Sequence, residues 1–227
     1  MKKKVTSMLM CFALLFALTA CKEGKTGDEN GGVPCPIEGL EWGMTVDECL
    51  AALSLTEEDV EIDRREGENG TNVIIMATLT GHKAYGYPIG DVNLLLSEKF
   101  YGFPVGLRNI TIRFDPVPAF EELKTAVKEE VQAYTVESSN NDAPLNSNFQ
   151  RYNTPKTLAD ADQSLVDKYI QWDRWWETAS EIPMEVPEKE TYPYGSIAVA
   201  ETNDEAFVSI DNSIATILEK ASEAEKK

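Results

Sequence analysis

The stretch YGYPIGDVNLLL, Tyr85–Leu96, aligns without a gap with a second stretch, YGFPVGLRNITI, Tyr101–Ile112. We call this internal repeat the echo. Each copy begins with glycine and proline, which favour turns, and ends in apolar and β-branched residues, which favour strands. The echo therefore predicts two strands of one sheet that are entered through the same kind of turn. It is a local repeat, because a solenoid needs several more copies.

The runs around the echo extend it to an antiparallel meander. Strands are predicted where β-branched or aliphatic runs are separated by glycine and proline, at Asn72–Thr80, Asp91–Ser97 and Leu107–Phe114. The charged residues 56–71 before them are predicted to form a solvated loop with at most one helical turn. Further along, a terminal hairpin is predicted from Tyr192 onward, around residues 203–204.

Helices are predicted after the meander. Asp115–Pro118 ends the sheet and starts a helix, because proline is well placed in a first turn. The apolar residues that follow at helical spacing are Phe120, Leu123, Val127, Val131 and Tyr134. A polar loop is predicted over 135–155, a helix over Thr157–Trp176, and a tail helix after Ser213 that frays into solvent. The apolar helix face needs a partner, and the sheet is the only large candidate. The fold class is therefore α+β, an antiparallel sheet meander with helices packed on one face.

A short helix is also predicted before the meander, in the stretch IEGLEWGMTVDECLAAL. Thr45 and Glu48 have the spacing of a capping box, which satisfies backbone amides at a helix start. One apolar face then follows at helical spacing, formed by Val46, Cys49, Leu50 and Leu53. Gly43 suits a sharp entry to this helix.

The start of this stretch resembles the opening helix of small bacterial envelope lipoproteins with a helix-on-sheet fold. That group is similar to the β-lactamase inhibitor proteins and to the small lipoprotein subunit of the outer-membrane assembly machinery. The residues that carry the resemblance are Leu40, Trp42, Gly43, Met44, Thr45 and Glu48. Where the pattern usually has an aliphatic residue inside the helix, this chain has Cys49. The resemblance implies a fold and an envelope setting, and it implies no activity.

Residues 1–20 have the pattern of a secretory signal peptide. Met1–Lys4 is positively charged, and Val5–Ala20 is mostly apolar and ends in small side chains. A helix over this run would span roughly 24 Å, less than the roughly 30 Å hydrocarbon core of a bilayer. A cleaved leader is therefore predicted in preference to a permanent transmembrane helix.

Leu18-Thr19-Ala20-Cys21 resembles the bacterial lipobox, in which the cysteine is diacylglycerated and becomes the first mature residue. The resemblance implies a membrane anchor at Cys21, because two acyl chains hold a protein at a bilayer far more firmly than one. A plain signal peptide cut elsewhere, with an incidental cysteine, is the alternative. Residues 21–35 are rich in glycine and charge and are predicted to be a flexible tether. Residues 36–227 are predicted to form a single α+β domain.

The chain is strongly acidic. Its 227 residues include 21 basic and 39 acidic side chains, for a formal charge of −18. Three lysines and no acidic residue precede Cys21, so the charge becomes −21 when the leader is removed. Such a surface repels nucleic acid and anionic lipid, and neither is expected as a partner.

Cys35 and Cys49 are the remaining mature cysteines, and two interpretations are open. An extracytoplasmic compartment permits a disulfide, and closing a loop of about 14 residues could contribute around 3 kcal/mol. Alternatively, Cys49 is a buried thiol on the apolar face of its helix. Two cysteines without a nearby histidine make only half a metal site, so no metal or cofactor is predicted.

The sequence contains no recognisable catalytic motif. His82 is the only histidine, so any triad would have to use it, and it lies in a turn context. Nucleophile-elbow, phosphate-loop and zinc-protease motifs do not occur, and Asp160 and Asp162 lack the rest of a calcium loop. No catalytic residue is assigned, and an enzyme is not predicted.

Two aromatic groups are candidate binding residues. Trp172, Trp175 and Trp176 share one helical face and could stack on a sugar or contact a protein, or could instead anchor the helix. The second group lies beside turn glycines and could cluster at one end of the sheet, either as an exposed patch or in packing. Its members are Tyr85, Tyr87, Tyr101 and Phe103.

Two functions are therefore predicted for a lipid-anchored protein that faces outside the cytoplasm. The first is a non-enzymatic interaction or inhibitor-like module that presents a sheet face or turn cluster to another envelope protein. The second is an accessory module that binds carbohydrate or peptide through the exposed aromatics.

Overall fold

A computed structural model describes residues 31–67, 70–137, 148–180, 188–202 and 205–227, without the side chains of 173–180. Within these residues the chain forms nine strands and four α-helices. The strands are β1 Glu61–Gly67, β2 Gly70–Thr78, β3 Lys83–Ala84, β4 Tyr87–Phe100, β5 Gly106–Phe114, β6 Thr135–Glu137, β7 Asn148–Asn153, β8 Ser196–Thr202 and β9 Glu205–Asp211. The helices are α1 Val46–Ala52, α2 Phe120–Glu130, α3 Gln163–Ser180 and α4 Ser213–Glu225.

All strand pairs are antiparallel, in the order β1-β2-β4-β5-β9-β8-β7-β6, with β3 paired to β4 off this path. The strands β1, β2, β4 and β5 form one meander, and β6 to β9 form a second. Pairing of β5 with β9 joins the two in one sheet. The predicted α+β class and the predicted meander are confirmed.

The two copies of the echo enter their strands through the same backbone conformation. Tyr85 and Gly86 have φ of 53° and 85°, and Tyr101 and Gly102 have φ of 45° and 98°. Two successive positive φ values are what a type I′ hairpin turn requires. The prediction of one shared turn type is therefore confirmed.

The core lies on one face of the sheet. A row of directly paired, almost fully buried residues crosses five strands: Ile75, Leu94, Ile110, Ile210 and Ile197. The buried faces of α1 and α2 join these residues in one apolar cluster, through Cys49 and Leu50 on α1 and through Leu123 and Val127 on α2. These two helices therefore cover the core face.

A second apolar cluster holds α3 and α4 together. Leu165 and Val166 of α3 pack with Ile214 and Leu218 of α4 and with Val105 before β5. The predicted tail helix is present as α4. Its apolar residues up to Ala221 are buried in this cluster, and residues 223–227 at its end are exposed to solvent.

The helix entry that carries the family resemblance contacts the second copy of the echo directly. The Gly43 amide donates to the Leu107 carbonyl at 2.8 Å, and the Leu107 amide donates to the Met44 carbonyl at 2.8 Å. The predicted capping box is present, because the Thr45 amide donates to a Glu48 carboxylate oxygen at 2.8 Å. The start of α1 is thus hydrogen-bonded to strand β5.

Two strands occupy segments that the sequence predicts as loops. β1 lies inside the charged stretch 56–71, and β7 lies inside the polar stretch 135–155. β1 is an edge strand, so its charged side chains can remain in solvent while its backbone pairs with β2. β7 is held between β6 and β8. β1 pairs with the next strand in sequence, and β7 pairs with strands on both sides. Both segments are therefore strands because of their pairing, which their local composition does not indicate.

The folded part starts before Pro36, the residue at which the sequence places it. Val33 is fully buried, its amide donates to Asn212 Oδ1 at 2.7 Å, and its carbonyl accepts from Trp42 Nε1. The predicted tether of residues 21–35 is therefore shorter at its C-terminal end, because these contacts come from distant side chains.

Candidate functional site

The face of the sheet opposite α1 and α2 is here called the open face. Its residues alternate with the buried core residues along the central strands, and most of them are partly exposed. Ser97 of β4, which accepts from Arg108, is fully buried on this face. The partly exposed residues include Ile74, Met76, Asn93, Leu95, Thr111 and Ser209. Met76 is of a residue type that is enriched in protein–protein interfaces.

One end of the open face contains a hollow of about 430 Å³. Its floor includes the partly exposed Met76 and Asn93, and its rim carries four carboxylates: Glu58, Asp59, Glu61 and Asp91. We call this the acidic hollow. Among the described residues, Arg113 is the one cation in its lining, and Arg113 pairs with Glu205 at 3.5 Å.

The rim carboxylates have no neutralising partner in the described part of the chain, where none of the four forms an ion pair. Two of them are oriented by neighbouring threonines. Asp59 accepts from the hydroxyl and the amide of Thr56, and these bonds lower its pKa. Asp91 accepts from the Thr78 hydroxyl at 2.7 Å. The hollow is therefore negatively charged at neutral pH.

Three of the predicted binding aromatics meet at one place. The Trp172 ring stacks on Tyr101 at 5.1 Å between centroids and also contacts Phe100 and Phe103 at 5.5 Å each. The Tyr101 hydroxyl donates to the Trp172 carbonyl at 3.1 Å. Trp172 thus anchors α3 to the turn between β4 and β5, which is the packing alternative. The side chains of Trp175 and Trp176 lie outside the described residues.

The prediction that all four turn aromatics cluster at one sheet end is wrong. Tyr85 and Tyr87 lie at the start of β4, whereas Tyr101 and Phe103 lie after its end. A 14-residue strand extends about 46 Å, so the two pairs lie at opposite ends of the sheet. Tyr85 is buried, and burial raises its pKa well above the usual value. Tyr87 packs edge-on against Phe114 at 6.1 Å.

Cys35 and Cys49 are both thiols, and no disulfide joins them. Cys49 is fully buried on the apolar face of α1, where desolvation raises its pKa to about 12. Of the two interpretations of Cys49, the buried thiol is therefore correct and the disulfide is wrong, because the sulfur packs with the core. Cys21, the predicted lipidation site, lies outside the described residues.

His82 is partly exposed, and its side chain forms no hydrogen bond within the described residues. In the same part of the chain, no three His, Cys, Asp or Glu side chains lie close enough to hold one metal ion. The rim acids of the hollow are therefore spread too widely for a shared cation.

Comparisons with family models, with curated proteins and with solved structures find no match. Among the described helices, none is long and apolar enough to cross a bilayer. The acidic hollow was missed from sequence because Glu58, Asp59 and Glu61 look like an ordinary solvated run. Their proximity to Asp91 comes from the pairing of β1, β2 and β4.

Proposed function

We propose that this chain is a lipid-anchored extracytoplasmic protein, without enzymatic activity, that binds another envelope protein through the open face. The acidic hollow receives a basic segment of that partner. The observation that carries this proposal is a rim of four unpaired carboxylates around a partly apolar floor on a sheet face that α1 and α2 leave uncovered.

Charge and shape support a protein segment as the occupant. The carboxylates are separated, so several lysine or arginine side chains along one segment would match them better than a single metal ion. Met76 and Val60 would contact an apolar side chain between those cations. An encounter steered by charge of this kind weakens as salt concentration rises.

The predicted membrane anchor supports the same function. A leader with a lipobox-like end at Cys21 would hold the domain at a membrane, where its partners are other envelope proteins. The resemblance of the α1 entry to envelope lipoproteins agrees with this setting.

Photo-crosslinking in cells tests the proposal. A photoreactive phenylalanine analogue at Asn93, in the hollow, is expected to give one discrete adduct. The same analogue at Glu122, exposed on α2 at the other side of the sheet, should give none. The crosslinked peptide of the partner should carry lysine or arginine.

A pair of charge reversals provides the matched control. The double change Glu61→Lys with Asp91→Lys should abolish the Asn93 adduct, while Glu122→Lys with Glu129→Lys, which alters net charge equally on α2, should leave it intact. Adducts of equal yield from both faces, or an Asn93 adduct that survives the first double change, would contradict the proposal.

A further inference from the structure

The other end of the open face contains a second depression, separate from the acidic hollow. It has a volume of about 410 Å³, within the range of roughly 300–1,000 Å³ typical of small-molecule sites. It lies where β7, β8 and β9 meet α3 and the segment 188–195. We call it the tyrosine cleft.

Three polar side chains form a row along one side of the tyrosine cleft. Asn153, Ser196 and Asp211 are direct partners on β7, β8 and β9, so they lie side by side at strand spacing of about 4.8 Å. An amide, a hydroxyl and a carboxylate in one row offer both donors and acceptors. Such a row can bind several hydroxyl groups of one ligand.

Neighbouring contacts orient the end of this row. The Ser213 hydroxyl, which also lines the cleft, accepts from Arg108 Nη1 at 3.0 Å, so its own proton remains available to donate. The Ser213 amide donates to Asp211 Oδ1 at 2.9 Å and fixes that carboxylate. The Asp211 end of the row is therefore held in position before any ligand arrives.

Aromatic residues complete the lining. Tyr169 of α3 is 8% exposed, and Tyr192 is 36% exposed. Backbone bonds hold the segment that carries Tyr192: the Leu158 amide donates to the Tyr192 carbonyl, and the Tyr194 amide donates to the Lys156 carbonyl. Rigid aromatic rings beside convergent polar groups are typical of sites that bind the apolar faces and hydroxyl rims of sugars.

The charge balance of the cleft differs from that of the acidic hollow. Arg151 and Asp211 carry one formal charge of each sign among its lining residues, and Arg108 next to the lining donates to Ser213. In a chain of net charge −18, this cleft thus lacks the excess of carboxylates that the acidic hollow has. A polyhydroxylated ligand suits this mixed polar lining better than a cation does.

We propose that the tyrosine cleft binds a saccharide unit, with Asn153, Ser196 and Asp211 contacting its hydroxyls and Tyr192 covering one of its faces. This site is distinct from the protein-binding surface proposed above. It uses other residues at the opposite end of the open face.

Calorimetric titration of the purified lipoprotein with chitobiose, cellobiose and maltose tests this site. At least one disaccharide is expected to bind with one-to-one stoichiometry. Tyr192→Ala and Asp211→Asn should each weaken that binding by at least about tenfold, because each removes a central contact. Asp91→Asn, a matched change in the acidic hollow, should leave saccharide affinity unchanged.

Thermal unfolding of each variant provides the folding control. If Tyr192→Ala does not fold, the test rests on Asp211→Asn, which keeps the shape of the side chain. The proposal is overturned if none of the three disaccharides binds, or if well-folded Tyr192→Ala and Asp211→Asn bind as tightly as the unmodified protein. Binding of a neutral tetrapeptide in place of all three sugars would also overturn it. None of these results depends on the outcome of the crosslinking experiment.

Discussion

Replacing Gly106 with alanine is expected to destabilise the fold by about 2–5 kcal/mol, from left-handed strain and overpacking together. Gly106 has φ of +77°, a conformation that side chains with a Cβ rarely adopt. An added Cβ would overlap the Gly43 backbone and lie 2.6 Å from the Met44 carbonyl oxygen. Those atoms belong to the α1 entry that is hydrogen-bonded to β5, so α1 would have to move off the sheet.

Gly102→Ala is the matched control for this change. Gly102 also has positive φ, +98°, but an added Cβ would meet nothing within 4 Å. Only the conformational strain applies, about 1–2 kcal/mol. Chemical denaturation of both variants gives the comparison. Equal losses would mean that the close contact between α1 and β5 is not formed.

Leu94→Ala is expected to lower the free energy of unfolding by about 2–5 kcal/mol, the usual range for a large core residue. Leu94 is fully buried between its strand partners Ile75 and Ile110. Its truncation removes apolar contacts and leaves a cavity under α1 and α2. Urea unfolding followed by circular dichroism measures the loss.

Leu95, the next residue on β4, is the control that shows which face of the strand packs against the core. Leu95 lies on the open face and is partly exposed, so Leu95→Ala should cost less than about 1 kcal/mol. A loss for Leu95→Ala as large as that for Leu94→Ala would show that the open face is itself covered. The proposed docking surface would then be unavailable.

Features of the fold that depend on neighbouring residues were predictable from sequence. The Thr45–Glu48 capping box and the helix of Phe120, Leu123 and Val127 have local periodic signals, and both are present. The Gly-containing turns of the echo follow from the need for positive φ at Gly86 and Gly102. Each of these predictions needed fewer than about 15 residues of context, which is the window over which helical and strand periodicity can be recognised.

Features that depend on distant pairing were not predictable. β7 contains few apolar residues and is a strand because β6 and β8 flank it. The polar row of Asn153, Ser196 and Asp211 joins three strands through register, which composition does not reveal. The acidic hollow likewise brings Asp59 and Asp91 together across β1, β2 and β4. The composition shows that the chain is acidic, but the strand order of the sheet is needed to show that carboxylates surround Met76.

The proposed function requires that the domain be anchored to a membrane through a lipid on Cys21. Metabolic labelling with radioactive palmitate measures whether this lipid is present. We expect label in the wild-type protein, and loss of both label and membrane association in Cys21→Ser. Absence of label from the wild-type protein, or equal label in Cys21→Ser, would contradict it.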